Sequence, residues 1–332
     1  MAKESSKSDK PLFQWMKDYN ADKKKYSLKN YKFIDLFAGI GGMRYPAEKT
    51  FYSTCVFSSE IDRFSIETYK ANFKGQVHGD IKKTSKLIPK FDILLGGFPC
   101  QPFSNAGLKK GFSDVRGTLF FDICKIIEKH RPKVVLLENV KAYKSNDKGN
   151  TFKTTLKILE KELGYKVYHN VLNSRDFGVP QNRERLFIIC FKNKNKKFEW
   201  PLPLHRKKIV KDILEKRVHK KYTISNLLWS SHKARKIRNK KNGKGFGYNL
   251  IDSNNEYTNT MSARYYKDGA EILLKQKNQN PRKVTPREAA RLQGFPDTFK
   301  IPVSDNQAYK QFGNTVCIPV IEALLLQIEK VI

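Results

Sequence analysis

The feature that most constrains this chain is a rhythm. Short apolar runs, each ending at a glycine or a polar side chain, alternate with helix-length segments. Phe33-Ile34-Asp35-Leu36-Phe37, Cys55-Val56-Phe57-Ser58-Ser59, Phe91-Asp92-Ile93-Leu94-Leu95, Lys133-Val134-Val135-Leu136-Leu137 and Leu186-Phe187-Ile188-Ile189-Cys190-Phe191 read as buried strands. Val77 to Ile81 is a weaker strand candidate. Helices are predicted over 119–130, with Leu119, Ile123, Ile126 and Ile127 inward, and over 151–163, with Leu156, Leu159 and Leu163 inward and Gly164 as the stop. Strands alternating with helical patterns indicate an α/β fold built on an open sheet. In such sheets ligands bind at the carboxyl ends of the strands, so the residues following each run are the candidate functional groups.

Those residues are unusual. The first run enters Ala38-Gly39-Ile40-Gly41-Gly42, a glycine turn before a helix, where small residues let a ligand approach the backbone. The second ends in Glu60, about twenty residues on, where an acid would accept ribose hydroxyls. Asp80 offers another acid, and solvated surface acids are the competing reading for both. The third runs into Gly96-Gly97-Phe98-Pro99-Cys100-Gln101-Pro102-Phe103-Ser104-Asn105-Ala106-Gly107. Pro99 restrains Phe98 and presents Cys100 on a stiff turn, among turn formers rather than core formers, which makes its thiol a candidate nucleophile. The loop continues through Lys109, Lys110, Gly111, Asp114, Arg116 and Gly117, and reads as a lid that closes over a nucleic acid; a flexible solvated loop, the competing reading, explains the glycines but not the adjacent Cys100. The fourth run ends in Glu138-Asn139-Val140. A carboxyl beside an apolar strand can have its pKa raised and act as an acid, or can be a salt-bridged structural group. Before the last run stands Gln181-Asn182-Arg183-Glu184-Arg185. In extended geometry Arg183 and Arg185 share a side and could anchor a carboxylate, a phosphate or a base carbonyl; a structural ion pair competes.

At Trp200-Pro201-Leu202-Pro203 the rhythm is lost. Arg206 to Lys244 carries fifteen Lys and Arg against two acids, Asp212 and Glu215, and the whole chain of 332 residues has a formal charge of +33. That balance suggests a polyanionic partner, either nucleic acid or an anionic membrane surface. The segment reads as a smaller basic domain in which Asn242-Gly243-Lys244-Gly245-Phe246-Gly247-Tyr248-Asn249 could fit a groove and push Phe246 or an amide into a base stack. From Pro281 regularity returns, with a helix from Thr285 to about Leu292, a tight turn at Gly313-Asn314-Thr315-Val316 and a last helix from Pro319 to about Lys330. The boundaries expected are 1–28 for a basic flexible arm (with Phe13, Trp15 and Met16 as a docking patch or simply part of a disordered tail), 29–195 for the catalytic and cofactor-binding domain, 196–280 for the small domain, and 281–332 for a return to the large one. Five widely spaced cysteines without a C-x-x-C pair argue against a zinc site or disulfides and for a reducing compartment. No signal peptide or long apolar run is visible, so a cytoplasmic protein with no membrane partner and no metal is expected.

Taken in order, these blocks resemble the DNA (cytosine-5)-methyltransferase family. The likeness rests on Phe33 to Gly42, Gly97-Phe98-Pro99-Cys100-Gln101, Glu138-Asn139-Val140, Gln181 to Arg185, Arg287-Glu288 with Arg291-Leu292-Gln293-Gly294-Phe295-Pro296, and Gly313-Asn314-Thr315-Val316, and it spans about 31–332. It implies an S-adenosylmethionine-dependent methyltransferase fold, Rossmann-like with a mixed doubly wound sheet, and a small target-recognition domain across a DNA cleft. It implies catalysis by Cys100, which attacks carbon 6 of a flipped-out cytosine. The Glu138 equivalent holds ring nitrogen 3 and the exocyclic amine, the Arg185 equivalent holds the carbonyl, and Arg183 supports that region. Phe37, Ala38, Gly39, Ile40, Gly41, Gly42, Glu60, Ile61, Asp80, Ile81, Pro99, Leu119, Asn314, Thr315 and Val316 would surround S-adenosyl-L-methionine. Many relatives carry Trp where this chain has Ile61, so adenine packing is expected to be aliphatic. Gln101, Ser104, Lys109, Arg116, Phe246, Tyr248 and Arg264 would meet double-stranded DNA. Gly245 to Tyr248 and Ser262 to Glu271 look like the subgroup that modifies the inner cytosine of CCWGG, CCNGG or CCGG. A monomer is expected, with a cognate restriction endonuclease as a possible partner.

Three other readings compete. A transfer-RNA methyltransferase of the same fold typically carries Cys-Phe-Thr, where this chain has Cys190-Phe191-Lys192. A catalytically silent DNA-binding protein would not need Cys100, Glu138 and Arg185 together. An NAD-dependent oxidoreductase lacks its full glycine spacing here and leaves the basic domain without a purpose.

Overall fold

The computed structural model describes residues 28–99, 119–203 and 208–332. Six strands form the main sheet: β1 (Lys32–Leu36), β2 (Thr54–Ser59), β3 (Ile93–Gly97), β4 (Val134–Val140), β5 (Lys166–Asn173) and β6 (Glu184–Phe191), in the order β2-β1-β3-β4-β6-β5. The first four are mutually parallel, whereas β6 runs antiparallel to both β4 and β5. The chain leaves β1 for β2 on one side and returns to place β3 on the other. That reversal opens a crevice at the carboxyl ends of β1 and β3.

Strand alternation sorts the side chains into two cores. After the helices α1 (Arg44–Lys49) and α2 (Arg63–Asn72) comes α3 (Leu119–His130), which Ile34, Leu94, Val135, Leu137 and Ile188 face and whose Ile123 and Ile127 are fully buried. Phe33, Leu95, Leu136 and Ile189 face the opposite way, onto Leu324, Leu325 and Ile328 of α8 (Ile318–Glu329). The C-terminal helix therefore packs on one face of the sheet, alongside Met43, Ala47, Phe51 and Phe177. Asp305–Glu329 is long and apolar enough to cross a membrane by composition, yet 78% of its most apolar window is buried inside the protein.

Several connections differ from the sequence expectation. Val77 to Ile81 is not a strand: it contributes one bridge, Ser59 to His78, and Asp80 then caps the short helical turn Ile81–Thr84. β5, absent from the strands expected, carries Lys166, His169 and Asn170 on a sheet edge, where a strand needs no apolar run. The helix predicted over 151–163 is α4 (Asn150–Lys157) continued by a π-helical turn, Ile158–Glu162, with Gly164 at φ +74° as its stop. Gly313 and Asn314 are the last residues of α7 (Asp305–Asn314) rather than a free turn.

The small lobe holds α5 (Asn226–Lys241) and a three-stranded sheet of β7 (Leu250–Ile251), β8 (Leu273–Gln276) and β9 (Gln279–Lys283). β9 crosses the boundary expected at 281. Phe198 belongs to the large core, with Trp200 packed edge-on at 5.1 Å, so the expected edge at 196 also moves. A third core joins the lobes. Ile40 and Phe73 from the large lobe pack in one cluster with Ile251, Tyr265 and Ile272 from the small lobe, and with Leu292, Phe295 and Phe312. α6 (Pro286–Leu292) begins with a reciprocal capping box between Thr285 and Glu288. Glu288 is fully buried and forms a two-pronged pair with Arg282 of β9, at 2.7 and 2.8 Å, which fixes the small sheet to the return segment.

Candidate active site

A cavity of about 470 Å³ opens at the carboxyl ends of β1 and β3, within the usual range for small-molecule sites. Phe37, Ala38, Gly39, Ile40, Gly42, Glu60, Ile61, Asp80, Ile81, Pro99, Leu119, Glu138, Arg183, Arg185, Asn314, Thr315 and Val316 all line it. Residues more than 270 positions apart in sequence thus meet at one crevice. Gly41 does not line it. Its φ is +85°, and a Cβ there would lie 2.3 Å from the Phe73 ring, so this glycine serves the turn's shape and packing. Gly42 permits a close approach, since its Cβ would meet Thr315 Oγ1 at 2.4 Å. Phe37 also adopts φ +56°, an uncommon conformation for a bulky side chain that turns the ring at the strand's end.

Glu60 is pinned by backbone amides. Gly39 N donates to Oε2 at 2.7 Å, while Ile61 N and Asp62 N both donate to Oε1 at 2.8 Å. About one of the four acceptor sites of an ionised carboxylate is left, on Oε2. Beside it Ile61 is 74% exposed, an apolar side chain without cover on a cavity wall.

At the other end stands the carboxylate–guanidinium pair. Gly97 of β3 is opposite Glu138, and Val140 is opposite Arg185. Glu138 and Val140 share a face, so Arg185 reaches diagonally to Glu138, Nε to Oε1 at 3.2 Å. Arg185 also donates to the Glu184 carbonyl at 2.8 Å. Burial pushes the Glu138 carboxyl above the usual range, against the opposing pull of Arg185 and Arg183. Burial likewise lowers Arg185, although Glu138 opposes it. Desolvation therefore outweighs one long ion-pair contact at this site. Asn139 donates from Nδ2 to the Phe98 carbonyl at 2.9 Å and accepts from Val140 N through Oδ1 at 2.8 Å. The strand end carrying Glu138 thereby anchors the residues that lead into Cys100.

Arg183 behaves differently from Arg185. It is 1% exposed and donates to the carbonyls of Met261 (3.2 Å), Gly313 (3.1 Å) and Thr315 (2.7 Å). Gln181 continues this seam, bonding the Leu292 carbonyl and Met261 N. The two arginines expected to project together thus divide their work, one at the cavity's acid and one joining the lobes. Arg183→Met is expected to lower stability by about 3 kcal/mol or more, because three charge-assisted bonds are lost and three buried carbonyls remain. Urea denaturation followed by circular dichroism checks it; an unchanged midpoint would show that the seam contributes nothing.

Asp35, Asp62 and Lys310 also line the cavity and were missed. Asp35 is a lone acid within an apolar strand, which was the available signal. Burial raises its carboxyl to about 7, with the Tyr69 hydroxyl donating to it at 3.1 Å. Phe246 and Arg264 are exposed on the small lobe, away from the cavity lining, and Tyr248 is half-buried against Trp229 at 4.9 Å. Cys100, Gln101, Ser104, Lys109 and Arg116, with the expected lid and residues 1–27 of the expected arm, lie outside the described residues.

A doubly wound sheet with a glycine turn after β1, an acid after β2 and a buried carboxyl–guanidinium pair at the same crevice defines a methyltransferase-type α/β protein. The family model for C-5 cytosine-specific DNA methylases matches residues 31–330. The chain is 61% identical over 299 residues to the Type II methyltransferase M1.ScrFI of Lactococcus lactis subsp. cremoris, covering 89% of this chain and 77% of that one. It is 57% identical to M.NlaX of Neisseria lactamica, covering 90% and 96%. Among solved structures, the Entamoeba histolytica methyltransferase EhMeth superposes with a TM-score of 0.70 at 22% identity, covering 89% of this chain and 96% of that one, a likeness of fold. The chain belongs to the C-5 cytosine-specific DNA methylase family and is a DNA cytosine-5 methyltransferase.

Proposed function

We propose that the protein methylates the inner cytosine of a CC-type DNA site, with Cys100 as nucleophile, Glu138 as acid and S-adenosylmethionine as donor. The observation that carries this reading is the buried Glu138–Arg185 pair, set beside the strand end that leads into Cys100. The cavity suits the donor on the residues present. Pinned Glu60 keeps an acceptor for a ribose hydroxyl, exposed Ile61 offers an apolar face to an adenine ring, and the 39–42 turn lets a ligand approach the main chain. When bound, S-adenosylmethionine supplies an electrophilic methyl group.

The chain's own residues prepare the base. A cytosine inside a duplex is out of reach and must be flipped out, which costs a few kcal/mol. The Cys100 thiolate forms a bond to carbon 6 while Glu138, whose carboxyl burial pushes above the usual range, donates a proton to ring nitrogen 3 and its second oxygen accepts from the exocyclic amine. Arg185 holds the base carbonyl. Carbon 5 thereby becomes enamine-like and takes the methyl group. Loss of the carbon 5 proton to a base then expels the Cys100 thiolate, and return of the ring nitrogen 3 proton to Glu138 restores the neutral aromatic ring.

The Type II names of the relatives support a place in a restriction–modification system, acting on DNA in the cytoplasm. Bisulfite sequencing of plasmid from expressing cells is expected to give methylation confined to one CC-containing site, at its inner cytosine. Methylation outside every CC-type site would end the site assignment while leaving the enzyme class intact.

A further inference from the structure

The two segments read above as recognition elements, Gly245–Tyr248 and Ser262–Glu271, converge on one side chain. Arg235 of α5 donates from Nε and Nη2 to the Gly247 carbonyl, at 3.1 and 2.8 Å, and from Nη1 to Asp268 Oδ2 at 2.7 Å. Its Nη2 also meets His232 Nδ1 at 2.8 Å, and His232 Nε2 lies 3.1 Å from the Asp268 carbonyl. A guanidinium can only donate, so Nδ1 accepts and Nε2 carries the proton that bonds Asp268. Asp268 Oδ1 in turn accepts from Ala270 N at 3.1 Å.

The loop lies directly on the helix. A Cβ at Gly247 would stand 2.6 Å from Lys236 Cα, so no other residue fits without moving the loop. Asn239 Nδ2 donates to the Phe246 carbonyl at 2.8 Å. What these bonds hold up is exposed: Phe246 is 52% exposed, and Arg264 just precedes the helical turn Tyr265–Asp268 that ends at the clasp. Arg238, Lys240 and Lys241 of the same helix are exposed, whereas the Arg235 donors are engaged within the protein.

We propose that Arg235, braced by Asp268 and His232, is a positioning residue for target-sequence discrimination: it fixes the Phe246 loop and the Arg264 turn in one relation to each other. The inference rests on the reading of these segments as recognition elements. It adds that discrimination, more than overall DNA affinity, depends on a guanidinium engaged inside the lobe.

The test measures kcat and KM on a duplex with the methylated site and on duplexes changed at one base pair. For Arg235→Ala the cognate-to-changed ratio of kcat/KM is expected to fall about tenfold, with KM for DNA raised and kcat within about threefold. Arg235→Lys recovers only part of the loss, since an ammonium lacks the planar fork that spans carbonyl and carboxylate. Gly247→Ala displaces the loop with Arg235 intact and is expected to give the same loss; it decides the matter alone where Arg235→Ala fails to fold. Undiminished discrimination in a folded Gly247→Ala or Arg235→Ala overturns the proposal. So does a salt slope lowered by about one, with cognate and non-specific affinity weakened alike, which marks a phosphate contact. Arg264→Ala and Phe246→Ala separate the two layers. If neither alters discrimination, the recognition reading falls and the clasp with it. If they do and the Arg235 and Gly247 variants do not, the clasp alone falls.

Discussion

Cys100→Ser is expected to take methyl transfer below detection while leaving DNA affinity within roughly threefold of the wild type. The reason is ionisation. A free thiol with a pKa of about 8.5 is a few per cent thiolate at neutral pH, and thiolate is intrinsically very nucleophilic. A serine hydroxyl at the same place has no comparable anion, and carbon 5 of cytosine is unreactive until something adds at carbon 6. The main chain entering residue 100 is held through the bond from Asn139 to the Phe98 carbonyl, which the substitution leaves alone. Incorporation of a labelled methyl group, read beside a gel-shift titration, makes the comparison. A second readout is trapping on 5-fluorocytosine DNA, where the fluorine blocks loss of the adduct: the wild-type chain is expected to form a denaturation-resistant complex and the serine variant none. Turnover by Cys100→Ser near the wild-type rate would falsify the nucleophile assignment.

Glu138→Gln separates holding the base from protonating it. The amide has the carboxylic acid's shape, with one donor for ring nitrogen 3 and one acceptor for the exocyclic amine. Base contacts survive, and proton delivery does not. The expected result is a fall in kcat of about 10²- to 10⁴-fold with KM for DNA nearly unchanged. Arg185 loses its carboxylate partner but keeps the Glu184 carbonyl at 2.8 Å, and β4 keeps its ladder to β3 and β6, so the fold should persist. Single-turnover methylation measures the step directly. A kcat within threefold of wild type would remove Glu138 from the proton's path, and a large rise in KM with unchanged kcat would make it a binding group only.

Much of this arrangement could be read from the chain because period and punctuation are local. Apolar runs ending in Gly39–Gly42, Glu60, Gly97 and Glu138 sit on four strands, and residues after those strands line one cavity. The helix over 119–130 was legible because its apolar positions recur at helical spacing, and the helix at 286–292 because Thr285, Pro286 and Glu288 spell out its start. What could not be read depends on distant partners. Nothing near Arg183 says that its guanidinium meets the Gly313 and Thr315 carbonyls, or near Gly41 that Phe73 will back it. β5 escaped because an edge strand needs little apolar content, and α5 because its cations encircle it without a clear apolar stripe. The lobe boundary was misjudged for a related reason. Change in composition marks where the surface chemistry alters, whereas the third core is shared by residues from both sides of that change.

The contact between Gly42 and Thr315 has a consequence for synthesis. A ribosome delivers the glycine turn more than 270 residues before the opposing wall, so a growing chain carries the cavity half-built until Thr315 is made. Competence should therefore arrive abruptly, once that wall is in place, rather than accumulate with length. Long-range closures of this kind also slow folding and leave apolar sheet surface uncovered in the meantime, which makes the nascent chain a natural client for holding factors.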